Sequence, residues 1–241
     1  MRLGRAARGR GPARRPGAAP GPGAVAYRST RAPSARTPWR QASFCAIDLE
    51  LTGLDPSRDE IVSFAAVPIE DGRVQLGASV HGRVRPTGAI GEAAIRVHGL
   101  RYADLADAPA LEEALDPLLA TMAGRVPVVH VAAIERGFLA PALRRNGLRL
   151  HRAMVDTSVL GRLWLHERDG HGPRRLPLGE LASALRLPIH HPHDALGDAL
   201  TTAQAFIALA SHLDALRPQS VRSLTSAERH LENVLAYRSP R

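Results

Sequence analysis

The spacing of apolar residues changes character several times along this chain of 241 residues. Residues 44–50, Phe-Cys-Ala-Ile-Asp-Leu-Glu, form a short apolar run ending in acids, the pattern of a buried strand. A turn-rich stretch, Thr52-Gly53-Leu54-Asp55-Pro56, separates it from a second strand at 61–69. Asp71-Gly72 is the strongest hairpin signal and returns the chain through 74–84, which predicts a three-stranded antiparallel meander. Helical spacing then takes over: Leu111, Leu115, Leu118 and Leu119 predict a helix over 110–122. A buried strand at 126–130 follows. The next helix, 132–145, carries Phe138, Leu139, Ala142 and Leu143 on one face and stops at Asn146-Gly147. Val155 begins a short segment into a helix at 157–166. Beyond a Gly/Pro/Arg loop at 169–175 come helices at 178–185 and 195–213. Thr225-Ser226-Ala227-Glu228 fits a capping box for a last helix through Leu235. Strands first and alternating units afterwards predict an α/β chain, a mixed sheet with helices on its faces. No internal repeat is present.

Composition changes this picture at one end. All 32 cationic residues are arginine, against 23 acids, for a net charge of +9. Ten arginines and no acid fall in residues 1–40, so the remaining 22 arginines and 23 acids leave the body at −1. Residues 1–40 are rich in Arg, Gly, Pro and Ala, bury little apolar surface, and are expected to be disordered. Arg14-Arg15 lacks the apolar stretch of an export signal, and the prolines and glycines spoil the amphipathic helix of a transit peptide. A nonspecific nucleic-acid tether and a merely solvated extension both fit this segment. The expected organisation is a tail at 1–40, one domain at 41–213 and a helical extension at 214–241. A single cysteine, Cys45, excludes an intramolecular disulfide and thiolate zinc sites. No apolar run is long enough to span a bilayer, and a soluble cytoplasmic protein is expected.

Three groups of residues carry candidate chemistry. Asp48 and Glu50, two apart on a strand, project to one face. Two like charges there are costly unless a cation neutralises them, which points to a hard divalent metal, although acids at an exposed strand end are also common. In His190-His191-Pro192-His193-Asp194-Ala195-Leu196-Gly197-Asp198, the last residue lies about one turn inside a helix, so His193 and Asp198 can face one cavity. Three histidines admit a zinc reading, but no fourth ligand is evident. His193 is better suited as a general base, its ordinary pKa fitting removal of a proton from water at neutral pH. Glu135 stands near the start of a helix, where the dipole alone also favours an acid.

Together these segments resemble the DEDDh 3′-to-5′ exonucleases, the group containing the proofreading epsilon subunit of bacterial DNA polymerase III. Asp48-Leu49-Glu50-Leu51-Thr52-Gly53-Leu54 is similar to the first motif, D-x-E-x-T-G-L. Ile95-Arg96-Val97-His98-Gly99-Leu100, with Ala108-Pro109, resembles the substrate-side segment. His130 to Leu139 occupies the place of the second motif, and His193 to Asp198 matches the third, H-x(4)-D. The resemblance runs from about Phe44 to Leu209. It implies an RNase H-like fold with a five-stranded mixed sheet and helices on both faces. It also implies two Mg²⁺ or Mn²⁺ ions held by Asp48, Glu50, Glu135 and Asp198, with His193 as general base. Thr52, Leu54 and His98 are expected at the terminal nucleotide.

One departure stands out. The second motif usually reads H-N-x-x-F-D, whereas Ala132 holds the Asn position and Glu135 the Asp position, a carboxylate longer by one methylene. The expected function is release of nucleoside 5′-monophosphates from the 3′ end of single-stranded DNA. Two alternatives are a catalytically weakened nucleic-acid-binding module and an RNA-directed enzyme of oligoribonuclease type. A third reading is a polymerase-associated scaffold, with a DNA polymerase as partner, but the chain ends soon after its last helix, which favours a stand-alone enzyme. Arg174 and Arg175 are candidates for backbone contacts, Trp164 for core packing.

Overall fold

The computed structural model describes residues 20–151 and 153–238. Among them the strands are β1 (Phe44–Leu51), β2 (Ile61–Glu70), β3 (Arg73–Val74), β4 (Val80–Arg83), β5 (Val126–Val129) and β6 (Val155–Asp156). The helices are α1 (Pro22–Ser29), α2 (Glu92–His98), α3 (Tyr102–Leu105), α4 (Leu111–Met122), α5 (Ala132–Arg145), α6 (Thr157–Asp169), α7 (Leu178–Ala184), α8 (Ala195–Leu216), α9 (Val221–Thr225) and α10 (Ala227–Arg238). None is long and apolar enough to cross a membrane.

β1 is the centre of one mixed sheet. It pairs antiparallel with β2, from Phe44↔Ile69 to Glu50↔Ser63, and parallel with β5, which in turn pairs parallel with β6. Both β3 and β4 line the outer edge of β2. The single return strand expected over 74–84 is therefore divided. Pro68 explains the break: its carbonyl accepts the Gln75 N–H at 2.9 Å, but it has no N–H to give back. The ladder lapses there, and residues 76–78 leave it as a short 3₁₀ turn.

Strand parity sorts the core into two layers. Phe44 and Ala46 face α6 and α8, packing with Leu160, Leu163 and Phe206. Cys45, Ile47, Leu49 and Leu51 face the other way, against Leu115 and Leu118 of α4 and Leu139 and Leu143 of α5. The sheet thus has helices on both faces.

The expected disorder of residues 1–40 is corrected for residues 20–40; residues 1–19 lie outside the described residues. Helix α1 packs on α4, and the Asp116 carboxylate accepts the N–H groups of Gly23 at 3.0 Å and Ala24 at 3.1 Å. A Cβ at Gly23 would meet the Asp116 carbonyl oxygen at 1.9 Å, so this approach requires glycine. Tyr27 and Trp39 are buried, Trp39 lying edge-on to Phe206 at 6.0 Å. Trp39 N–H donates to the Gln219 carbonyl, and Val221 and Arg222 donate theirs to Thr37 and Ala35. Residues 35–39 and 219–222 are thus laced together. Trp39, Val221, Leu224 and Ala227 share one core with the sheet, across the expected boundaries at 40 and 213. Composition misleads here because two aromatics with distant partners outweigh a stretch of Gly, Pro and Arg. The expected capping box at Thr225 is also displaced: Ser220 and Ser223 form one at the start of α9, and the Thr225 hydroxyl bonds back to the Val221 carbonyl at 2.8 Å.

Candidate active site

The parity that turns Phe44 and Ala46 toward α8 turns Asp48 and Glu50 the same way. At Glu50/Leu51 the register of β1 against β2 shifts, so the strand loosens where its acids stand. Helix α8 crosses this strand end. Its buried Ala199 and Ala203 permit close contact, and Gly197 admits the preceding loop, since a Cβ there would lie 2.2 Å from the His190 carbonyl oxygen. The result is a cluster in which ligand oxygens of Asp48, Glu50 and Asp198 all lie within 4.8 Å of one another.

Glu135 comes from a different element. It sits in the first turn of α5, buried, and its Oε2 has no hydrogen-bond partner. That helix begins abruptly: Val131 adopts φ +70°, a strained conformation for a β-branched residue. Asp156, at the end of β6, holds the start in place. Its carboxylate accepts the N–H groups of Val131 at 3.2 Å and Ala132 at 2.8 Å, and also those of Ser158 and Val159 at the start of α6. One carboxylate therefore caps two helices.

Electrostatics ties the four acids together. Burial raises the Asp48 carboxyl well above its ordinary value, and the charges of Glu135, Asp198, Glu50 and Asp194 raise it further. Glu50 is pushed up to about 8 by burial and then by Asp198 and Asp194. Burial, then the charge of Asp156, raises Glu135. Burial also raises Asp198, opposed by the N–H and charge of His193. Carboxylates this crowded, with one buried oxygen unpartnered, are costly unless a cation neutralises them, and an all-oxygen donor set suits a hard divalent ion such as Mg²⁺ or Mn²⁺. The residues fit a divalent metal.

His193 is exposed at φ +62°, with its N–H donating to Asp198 Oδ2 at 2.9 Å. This bond keeps the residue at the rim of the cluster. The histidine zinc reading is not supported by the arrangement, because His190 is engaged with Gln204 Oε1 at 3.1 Å on α8. His98, expected with Thr52 and Leu54 at the terminal nucleotide, ends helix α2. Its Nε2–H donates to the Leu51 carbonyl at 3.2 Å and its Nδ1 accepts the Leu100 N–H at 3.0 Å, which defines a neutral tautomer. Burial lowers its pKa, and the charge of His193 acts in the same direction.

Thr52 is buried and its hydroxyl is occupied: it accepts the Glu60 N–H at 2.9 Å and donates to Asp59 Oδ1 at 3.3 Å. Leu54 is 76% exposed. His130 is likewise spent inside the protein, bridging Thr157 Oγ1 and the Leu176 carbonyl, both at 2.9 Å. Trp164 is buried, stacked on His212 at 5.4 Å. Arg174 and Arg175 lie exposed on their loop.

Two acids escaped the sequence reading. Asp194 caps α8 through the Gly197 N–H at 3.1 Å and adds charge to Asp48, Glu50 and Asp198. Asp156 is the helix clamp described above. Each immediately precedes a helix, and an Asp in that position is a legible N-cap signal.

Residues 45–206 match the exonuclease family RNase_T. The chain is 34% identical over 184 residues to a DNA polymerase III subunit epsilon-like protein of Rhodobacter capsulatus, covering 75% of this chain and 25% of that relative. It is 31% identical over 170 residues to a DNA polymerase III PolC-type protein of Thermotoga petrophila, covering 70% of this chain and 12% of that relative. The chain thus spans a quarter or less of these curated relatives' length. Among solved structures, exonuclease X in complex with 5′-overhanging duplex DNA superposes with a TM-score of 0.57 at 22% identity, covering 76% of this chain and 99% of that one.

Proposed function

The chain belongs to the RNase_T exonuclease family, of the DEDDh, DNA polymerase III epsilon-like kind with an RNase H-like fold, and from this premise we propose a metal-dependent 3′-to-5′ exonuclease. Its substrate is the 3′ end of single-stranded DNA, and its products are nucleoside 5′-monophosphates. The observation that carries this reading is the gathering of Asp48, Glu50 and Asp198 beside a buried Glu135 whose Oε2 lacks a partner.

In this proposal Asp48, Glu50, Glu135 and Asp198 hold two divalent ions. Those ions, Mg²⁺ or Mn²⁺, supply Lewis acidity and lower the pKa of water. The chain's own residues do the rest. His193, at the rim and tethered through its N–H to Asp198, takes the proton from the attacking water. As the water oxygen bonds to phosphorus, the bond to the 3′-oxygen of the preceding nucleotide breaks, and that oxygen is protonated from solvent. Leu54 offers the terminal base an exposed apolar contact. With its hydroxyl engaged by Asp59 and Glu60, Thr52 shapes the loop that presents Leu54. His98 holds the end of β1 through the Leu51 carbonyl. The names of the curated relatives support a DNA polymerase as a further proposed partner.

The decisive experiment is hydrolysis of a 3′-labelled single strand in Mg²⁺ or Mn²⁺. Wild type should release labelled mononucleotide and Asp48→Ala should fall to background; equal rates would sink the assignment. Matched RNA in parallel tests the preference for DNA.

A further inference from the structure

A near-neutral body conceals a strong segregation of charge. No acid occurs before Asp48, and none between Glu135 and Asp156, whereas arginines recur through both stretches. The fold brings the described parts of these two acid-free stretches side by side. Tyr27 Oη donates to the Arg149 carbonyl at 3.2 Å and accepts the His151 N–H at 3.3 Å, and the Tyr27 and His151 rings are 5.0 Å apart. An Arg28 guanidinium nitrogen lies 3.9 Å from where a Cβ would stand on Gly147. Ala32, Pro33 and Ala35 share the walls of one cavity with His151 and Ala153. Arg28, Arg31 and Arg36 from one stretch thereby join Arg144, Arg145 and Arg149 from the other. All six are exposed, and none forms an ion pair among the described residues.

We infer that this arginine face is a binding surface for the phosphate backbone of nucleic acid, holding the strand whose 3′ end enters the acidic cleft. Helix α5 joins the two places: Glu135 stands in its first turn, Arg144 and Arg145 in its last. At 1.5 Å per residue they are about 15 Å apart along the helix, a span of roughly four or five nucleotides at ~3.4 Å each. Arginine's planar fork matches phosphate oxygens, and this chain has no lysine. An interfacial membrane surface would interleave large apolar side chains; here the only exposed large hydrophobic on α1 is Val25. The face lies outside the four catalytic segments, and much of it precedes the family match at residue 45. Its placement of the strand rests on the exonuclease reading, but its affinity for nucleic acid can be measured without catalysis.

The test is fluorescence anisotropy of a labelled single-stranded 30-mer with full-length Asp48→Ala protein in EDTA, titrated at several salt concentrations. Combining Arg144→Gln, Arg145→Gln and Arg149→Gln should weaken binding about a hundredfold at 0.1 M salt and reduce the slope of log K against log salt by about 2. Arg28→Gln, Arg31→Gln and Arg36→Gln together should do the same, as an independent set on a different segment. An unchanged slope in both sets would overturn the proposal. So would equally strong competition by poly-glutamate or by phosphatidylglycerol vesicles, since the face would then be a general acidic-partner or lipid surface. A reduced slope in a protein that never hydrolyses DNA would remove the exonuclease reading and leave this surface standing.

Discussion

The two ends of helix α5 are opposites. At its start Glu135 is buried with an unpartnered oxygen and its charge bears on Asp48; at its end Arg144 and Arg145 stand in water. Both ends concentrate one sign of charge, but at very different energetic cost. Exposed arginines are solvated and screened, so their mutual repulsion is small. The acids sit where burial makes each charge expensive and each neighbour makes it worse. The acidic end is therefore incomplete without a cation, whereas the basic end is stable as it stands and waits only for an anion.

Breaking the support of the basic end should give the largest loss. Trp39 is 1% exposed and anchors residues 35–42 against Phe206 and the 219–222 segment. Trp39→Ala should cost about 3–5 kcal/mol in denaturant unfolding and weaken nucleic-acid binding, while the stoichiometry of Mn²⁺ binding by calorimetry stays unchanged. A loss of metal sites would mean that the two ends are coupled rather than separate.

Shortening one acid should act only at the other end. The start of α5 is held by Asp156 through the left-handed Val131, which fixes the backbone that carries Glu135. Glu135→Asp, although it restores the usual residue of the motif, should lower kcat by about 10² through misplacement of the order of 1 Å. Improved turnover would show that the helix is not set for the longer side chain.

A pH dependence sharpens the contrast without changing a residue. Glu50 titrates at about 8 in the folded metal-free protein against an ordinary value of 4.5, so folding retains a proton that the unfolded chain has lost between these values. That contribution is full below about 4.5 and is lost as pH rises through 8; Asp48, Glu135 and Asp198 shift in the same direction. In EDTA, Tm should therefore fall between pH 5 and 8, by roughly 2–4 °C for each kcal/mol lost. Because bound metal requires deprotonated ligands, the gain in Tm on adding Mg²⁺ should grow over the same range. A flat profile in EDTA would mean that the carboxylates are already neutralised within the protein.

How much was legible follows from the reach of the interactions concerned. The strand at 44–51 and the helices at 132–145 and 195–216 announce themselves because periodicity and stop signals are local. Helix α2 did not, being seven residues long with no fully buried position to set a period. Pro68 could have warned of the divided edge strand. Residues 20–40 could not be read as ordered, since Tyr27 reaches a partner 122 residues away and Trp39 is covered by α8 and the 219–222 segment. Among the site residues, Asp48, Glu50, Glu135 and Asp198 were visible through spacing and motif. That the Thr52 hydroxyl turns inward to Asp59 and Glu60 was not, because a hydroxyl's partner depends on where the loop closes.

By itself the sequence determined the acids, their shared strand face and the alternation of strands and helices, since these depend on residue type and short-range spacing. It also determined the net charge. Only the tertiary structure decided how that charge is distributed: which carboxylates meet in one cluster, which glutamate oxygen is left unpartnered, and which arginines from distant segments line one face. Coulomb interactions depend on distance and desolvation, and a count along the chain contains neither.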